Sequence, residues 1–239
     1  MSEYNMNKRA AKALLFKGYF MAGNFISPRI GHFPLYPDHR KAFSRNKVFS
    51  ILTQELAKSA RSVKSDLIAS REAAGIPYGV AVAGILKKDF LYLRKKPKGY
   101  NTRNVIEGMY RKGQSVVVID DAMSTGGDKK EIIKTLTAAG LKVKGIIVIM
   151  DAFYGPKYRK PQRWLRENKK YKFIALFTWP EMMKYAADNK FISKKLGDLI
   201  IEQLKDPLAW QKVPANWKQF KELAAKERNL TFDQSFNKI

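Results

Sequence analysis

Apolar positions change period along the chain, and that change outlines the fold. Between Lys8 and Phe20, apolar residues at Ala11, Ala13, Leu14 and Leu15 are interleaved with Lys and Arg, which predicts an amphipathic helix. Pro28, Pro34 and Pro37 follow closely, so a structured loop or short edge strands is expected there. Ser44 or Asn46 can cap a helix reaching Ala60, with Val48, Ile51, Leu52 and Leu56 facing inward. Short apolar runs then take over. Asp66–Ala69, Phe90–Leu93, Ser115–Ile119, Lys144–Met150 and Phe173–Phe177 read as strands. Ile76–Leu86, Lys129–Ala139, Glu181–Ala187 and Ser193–Leu204 read as helices, the second stopped by Gly140 in a left-handed conformation. Strands apolar on both faces that alternate with helices predict an α/β fold with a mostly parallel sheet flanked by helices.

Composition narrows the function classes. The 239 residues include no Cys, which excludes disulfides, thiolate metal sites and a cysteine nucleophile. No apolar run approaches the roughly 18–20 residues of a membrane helix. Met1–Asn5 lacks an apolar stretch behind a basic start, so no signal peptide, no membrane partner and a cytoplasmic location are expected. His32 and His39 are the only imidazoles and read as ordinary loop residues. Lys and Arg number 46 against 21 Asp and Glu, a net charge of +25. Such a balance points to polyanions, acidic membranes or small phosphorylated ligands.

The segment Val116–Lys130, VVVIDDAMSTGGDKK, carries the chemistry. An apolar β-branched strand delivers Asp120 and Asp121, and a short loop then opens a helix near Gly127. N–H groups converge at such a helix start, and the helix dipole favours an anion there. Gly126 and Gly127 allow close approach of backbone to phosphate, and Ser124 and Thr125 add hydroxyls. Paired acids on the same loop suit vicinal hydroxyls, or Mg²⁺ through water. Ribose with a 5′-phosphate satisfies both halves. The spacing is neither that of a Walker A loop nor that of a Rossmann fingerprint.

This segment resembles the phosphoribosyl-pyrophosphate (PRPP) motif of type I phosphoribosyltransferases, and the chain is most similar to their orotate phosphoribosyltransferase branch. Ala74–Gly79 resembles the Gly-Ile-Pro segment near the pyrophosphate. Arg94–Tyr100, followed by Ile106-Glu107-Gly108, resembles the basic mobile loop, and Phe16–Phe20 with Tyr36–Arg40 resembles the hood over the base. The resemblance spans residues 10–155 and implies a type I phosphoribosyltransferase fold. It also implies Mg²⁺-dependent transfer of phosphoribosyl from PRPP to orotate, a step of pyrimidine biosynthesis, in a homodimer whose basic loop reaches the neighbouring site. Residues 1–45 would then form the N-terminal helix and hood, 46–205 the α/β core and 206–239 a C-terminal helical extension.

Residue by residue, the resemblance places Arg94, Lys95, Lys98, Tyr100, Asp120, Asp121, Ala122, Met123, Ser124, Thr125, Gly126, Gly127 and Asp128 on PRPP. Lys98 and Asp121 would be catalytic, and Ser124, Arg29 and Tyr36 would contact orotate. Mg²⁺ would be held through PRPP and water, with Asp120 its one candidate protein contact. Ala152 stands where the family commonly has an Arg for the orotate carboxylate, which keeps a different nucleobase as an alternative. The other alternative is a PRPP-sensing, nucleic-acid-binding regulator on the same fold. Its best surface is the basic, aromatic stretch 156–172, although such a stretch is as readily a solvated helix face. Residues 87–112 carry nine basic and two acidic side chains, so part of the excess charge lies beside the expected anion site.

Overall fold

Val116, Val117, Val118 and Ile119 are fully buried and form the middle of a six-stranded sheet. The computed structural model describes residues 6–28, 30–95, 104–152, 155 and 170–238. In chain order its elements are α1 (Lys8–Ala13), β1 (Phe20–Ser27), β2 (Gly31–Pro37), α2 (Asn46–Arg61), β3 (Leu67–Arg71) and α3 (Gly75–Leu86). Then come β4 (Asp89–Leu93), β5 (Ile106–Glu107), β6 (Ser115–Met123), α4 (Gly127–Ala138), β7 (Lys142–Asp151) and β8 (Lys172–Thr178). The chain closes with α5 (Trp179–Asp188), α6 (Lys194–Lys205), α7 (Pro207–Trp210), α8 (Pro214–Ala224) and β9 (Thr231–Phe232).

Two compact units result. One comprises residues 46–151 and 160–176, the other residues 1–45, 152–159 and 177–239. This division differs from the expected three parts: the chain from 177 to 205 groups with the terminal segments rather than with the sheet.

In the sheet unit the strand order is β5-β4-β3-β6-β7-β8. β3 runs parallel to β4 and to β6, and β6 runs parallel to β7; the two-residue β5 is antiparallel to its neighbour β4. Central parallel strands covered on both faces must be apolar throughout, as the SVVVI and KGIIVIM runs are. α3 packs on β3 and β6 and α4 on β7. Gly140 adopts φ +83° just past α4, as expected. In α2, Leu52 and Leu56 are buried, whereas Val48 and Ile51 are half-buried.

The other unit corrects the expected length of the first helix and bears out the edge strand expected in the Pro-rich stretch. The first helix stops at Ala13 instead of reaching Phe20, because Gly18 turns the chain at φ +88° and Phe20 begins a strand. The Pro-rich stretch is a strand, β2, at the edge of a three-stranded sheet of order β2-β1-β9. The missing N–H of Pro37 faces away from the ladder, and Pro34 lies opposite the irregularity of β1 between Ala22 and Phe25. The third strand comes from the far end of the chain: β9 runs parallel to β1, with Met21 opposite Thr231. Gln211 bonds the same sheet, accepting from the His32 N–H (2.7 Å) and donating to the Ile30 carbonyl (3.2 Å).

α3 lies close against the sheet because its inner face is small. The Ser70 hydroxyl donates to the Ile119 carbonyl at 2.8 Å, and a Cβ on Gly79 would collide with that hydroxyl and approach Phe90 to 2.6 Å. A Cβ on Gly84, nine residues after Gly75 and so on the opposite face of α3, would meet nothing within 4 Å. Gly79→Ala therefore lowers stability by about 1–3 kcal/mol, and Gly84→Ala raises it by roughly 0.5–1 kcal/mol. Thermal and urea denaturation of the two variants measures both.

Candidate active site

The carboxyl end of β6 is where the buried strand delivers charge. Successive side chains alternate faces, so Asp120 and Asp121 diverge. Asp120 is 6 % exposed, while Asp121 is half-buried. The Asp120 carboxylate accepts from the Asp121 N–H through Oδ1 (2.9 Å) and from the Lys129 ammonium through Oδ2 (2.5 Å). Asp121 accepts from the Ala122 N–H through Oδ1 (2.8 Å); among the described residues no hydrogen bond reaches its Oδ2.

Two helix amino termini flank this pair. α3 begins at Gly75 against Asp120, so closely that a Cβ there would lie 2.6 Å from Oδ1. Its first turn is Gly75-Ile76-Pro77, the segment singled out in the sequence. α4 begins after the loop Ser124–Gly126, with Gly126 at φ +82° as its N-cap and no side-chain cap. The positive φ is why glycine stands there. The first helical bond runs from the Lys130 N–H to the Gly126 carbonyl (3.2 Å). Met123 and Thr125 are buried beneath the loop and Ser124 is exposed on it.

Lys129 is the residue that sequence reading missed. Its ammonium bonds Asp120 at 2.5 Å and Asp128 at 2.7 Å, and the residue is only 1 % exposed. The available signal was its place on the apolar face of α4, where a cation needs buried acids as partners. Burial pushes the Asp120 carboxyl up to about 6, with the Lys129 charge pulling against it and the Asp121 charge adding to the rise. Burial also works against the Lys129 charge, but Asp120 and Asp128 outweigh it and hold the ammonium protonated well above its ordinary range. Burial would raise Asp128 as well; the Lys129 charge and hydrogen bond, with first-turn N–H groups, instead keep it below the ordinary carboxylate range.

The remaining expected residues are spread more widely. Arg94 follows β4 and turns to Glu107, 3.9 Å away, with its backbone N–H on the Val105 carbonyl (2.9 Å). Lys95 is exposed, and its N–H donates to the Glu72 carboxylate. Arg71, at the end of β3, bonds Glu131 at 2.7 Å and reaches the Asp128 carbonyl at 3.5 Å. Tyr36 lies on β2 in the other unit, where its hydroxyl accepts from Arg40. Lys98, Tyr100 and Arg29, and most of the basic stretch 156–172, lie outside the described residues. Ala152 is buried.

Mg²⁺ takes oxygen ligands and keeps several waters. Asp120 has both oxygens engaged and an ammonium against one of them, so Asp121 Oδ2 is the open carboxylate oxygen of the pair. That donor set fits an ion carried chiefly by substrate oxygens and water.

No family model matches the chain. Among curated proteins it is 32 % identical over 186 residues to the orotate phosphoribosyltransferase of Listeria monocytogenes, an alignment covering 77 % of this chain and 83 % of that one. It is 30 % identical over 191 residues to the orotate phosphoribosyltransferase of Cytophaga hutchinsonii, covering 78 % and 84 %. Among solved structures it is similar to Leishmania donovani UMP synthase, with TM-score 0.70 and 28 % identity, covering 82 % of this chain and 41 % of that one. It also shares the fold of orotate phosphoribosyltransferase from Aeropyrum pernix, with TM-score 0.62 and 23 % identity, covering 74 % and 97 %. An acid pair at the end of a buried parallel strand, a glycine-led helix start beside it and these relatives converge: the chain belongs to the orotate phosphoribosyltransferase family of pentosyl-transferring enzymes.

Proposed function

We propose that the protein transfers phosphoribosyl from PRPP to orotate, giving orotidine 5′-monophosphate and pyrophosphate. The observation that carries the reading is the β6–α4 junction, where Asp120 and Asp121 stand beside a glycine-led helix start in a chain of this family. In this reading Asp120 and Asp121 accept hydrogen bonds from the ribose hydroxyls. Ser124 to Asp128 cradle the 5′-phosphate with backbone N–H groups and hydroxyls. Arg94, Lys95, Lys98 and Tyr100 receive the pyrophosphate, with Lys98 stabilising its developing charge. Ser124, Arg29 and Tyr36 are the proposed orotate contacts, on the strength of the family resemblance.

Bound Mg²⁺ would offset pyrophosphate charge, and Asp121 Oδ2 or Asp120 would meet it through water. Since C1 gains positive character as pyrophosphate leaves, the chain's own contribution is to orient the ribose, support the leaving charge and exclude water. The reading carries with it a homodimer and a cytoplasmic location. Both are carried over from the family resemblance, and sedimentation of the purified protein tests the first.

With Mg²⁺ and PRPP, orotate is expected to release pyrophosphate while uracil, adenine and hypoxanthine do not. Release with none of them sinks the enzyme, and release with another base alone reassigns the substrate. Lys98→Ala is expected to cut kcat by about 10²-fold with an unchanged circular dichroism spectrum. Asp120 accepts from ribose as a carboxylate, so PRPP affinity holds above the raised value of about 6 and is lost as pH falls through it. Asp120→Asn removes a charged acceptor worth roughly 1.5–3 kcal/mol, weakens PRPP tenfold or more by the same arithmetic, and loses that acid step. Calorimetric titration of PRPP from pH 5 to 8 reads both proteins.

A further inference from the structure

Lys129 has no part in the roles assigned above, yet it is the most constrained charge in the site. It shares a face of α4 with Ile132, Ile133 and Leu136, at the i, i+3, i+4 and i+7 positions that pack inward. An apolar residue belongs there by pattern. A buried ammonium is strongly unfavourable unless it is paired and hydrogen-bonded. Lys129 is paired twice, at 2.5 Å to Asp120 and 2.7 Å to Asp128.

Its two partners stand at the two ends of the phosphoribosyl site, and one of them is out of place. Asp120 suits the ribose hydroxyls. Asp128 is the last residue of the phosphate cradle, where a free carboxylate would repel the phosphate. Asp128 is not free. Its carboxylate is drawn to the Lys129 ammonium from the buried side, and the same ammonium holds the Asp120 carboxylate against the start of α3. From β3, Arg71 reaches the Asp128 carbonyl at 3.5 Å while its guanidinium is committed to Glu131, so it does not supply this neutralisation.

We propose that Lys129 is a positioning residue for phosphoribosyl binding: one buried ammonium aligns the Asp120 carboxylate for ribose and turns the Asp128 carboxylate away from the bound phosphate. The inference rests on the phosphoribosyl reading and deepens it. It explains why a lysine occupies an apolar helix position and why an acid is tolerated beside a phosphate.

A double-mutant cycle separates this role from plain packing. Lys129→Met keeps most of the unbranched side chain and removes its charge; Lys129→Gln keeps a donor and serves if the Met variant loses its fold, as judged by thermal melting. Each is measured with Asp128 and with Asp128→Ser, by calorimetric titration of Mg–PRPP and by steady-state kinetics. Loss of Lys129 is expected to raise Kd and KM for PRPP about tenfold with a smaller change in kcat. Adding Asp128→Ser in that background is expected to recover affinity by about fivefold more than Asp128→Ser does alone. Equal effects of Asp128→Ser in the two backgrounds, or unaltered PRPP binding without Lys129, overturn the inference. Failure of the unmutated protein to bind Mg–PRPP overturns the phosphoribosyl reading itself.

Discussion

The ion pair between Asp120 and Lys129 is the interaction on which the rest of the site depends. Four buried aliphatic residues carry β6 through the middle of a parallel sheet, and the strand must then end in charge without reaching open water. Burial alone pushes Asp120 toward its neutral form, which cannot serve as a full acceptor. A cation from the first turn of α4 shifts that balance. The same bond ties the strand end to the helix start, so the loop from Ser124 to Gly126 is closed at both ends by one contact. With the amino terminus of α3 pressed against the other carboxylate oxygen, the acid is fixed from two sides.

This arrangement also explains the spacing in the motif. Asp120 and Lys129 are nine residues apart, enough for the strand to finish, the glycines to turn and one helical turn to begin. Gly75 and Gly126 serve different needs within it. Gly75 removes a side chain that would strike Asp120, whereas Gly126 supplies a positive φ at the helix cap. Both are backbone concessions to a carboxylate and an anion site that need close approach.

The other unit solves a separate problem, that of a short sheet with exposed edges. β2 carries prolines and lies at one edge; β9, from the last residues of the chain, pairs with the opposite side of β1. The segment after Asp206 therefore completes the sheet begun near the amino terminus, and Gln211 adds bonds to it. Its two-residue strand and four-residue helix are too short to announce themselves by periodicity. Only pairing with a partner some two hundred residues away makes them regular.

Much of the sheet unit was legible because its signals are local. Fully apolar strands, an apolar helix face at Ile132, Ile133 and Leu136, and a glycine at position 140 each depend on neighbours within a few residues. The acid pair and glycines of the loop were legible for the same reason, since strand, turn and helix start are contiguous. The first helix was overextended because Leu14 and Leu15 continue an apolar pattern that Gly18 interrupts and strand pairing ends. Lys129 opens the helix expected from the sequence, but nothing local marks it out among the lysines of a chain of net charge +25. Composition treats all lysines alike; burial does not. The sequence by itself determined the α/β class, the position of the carboxylates and the family, all of which rest on contiguous residues. Tertiary structure decided which lysine would be buried between acids and which distant strand would pair with β1, because both depend on groups brought together only when the chain closes on itself.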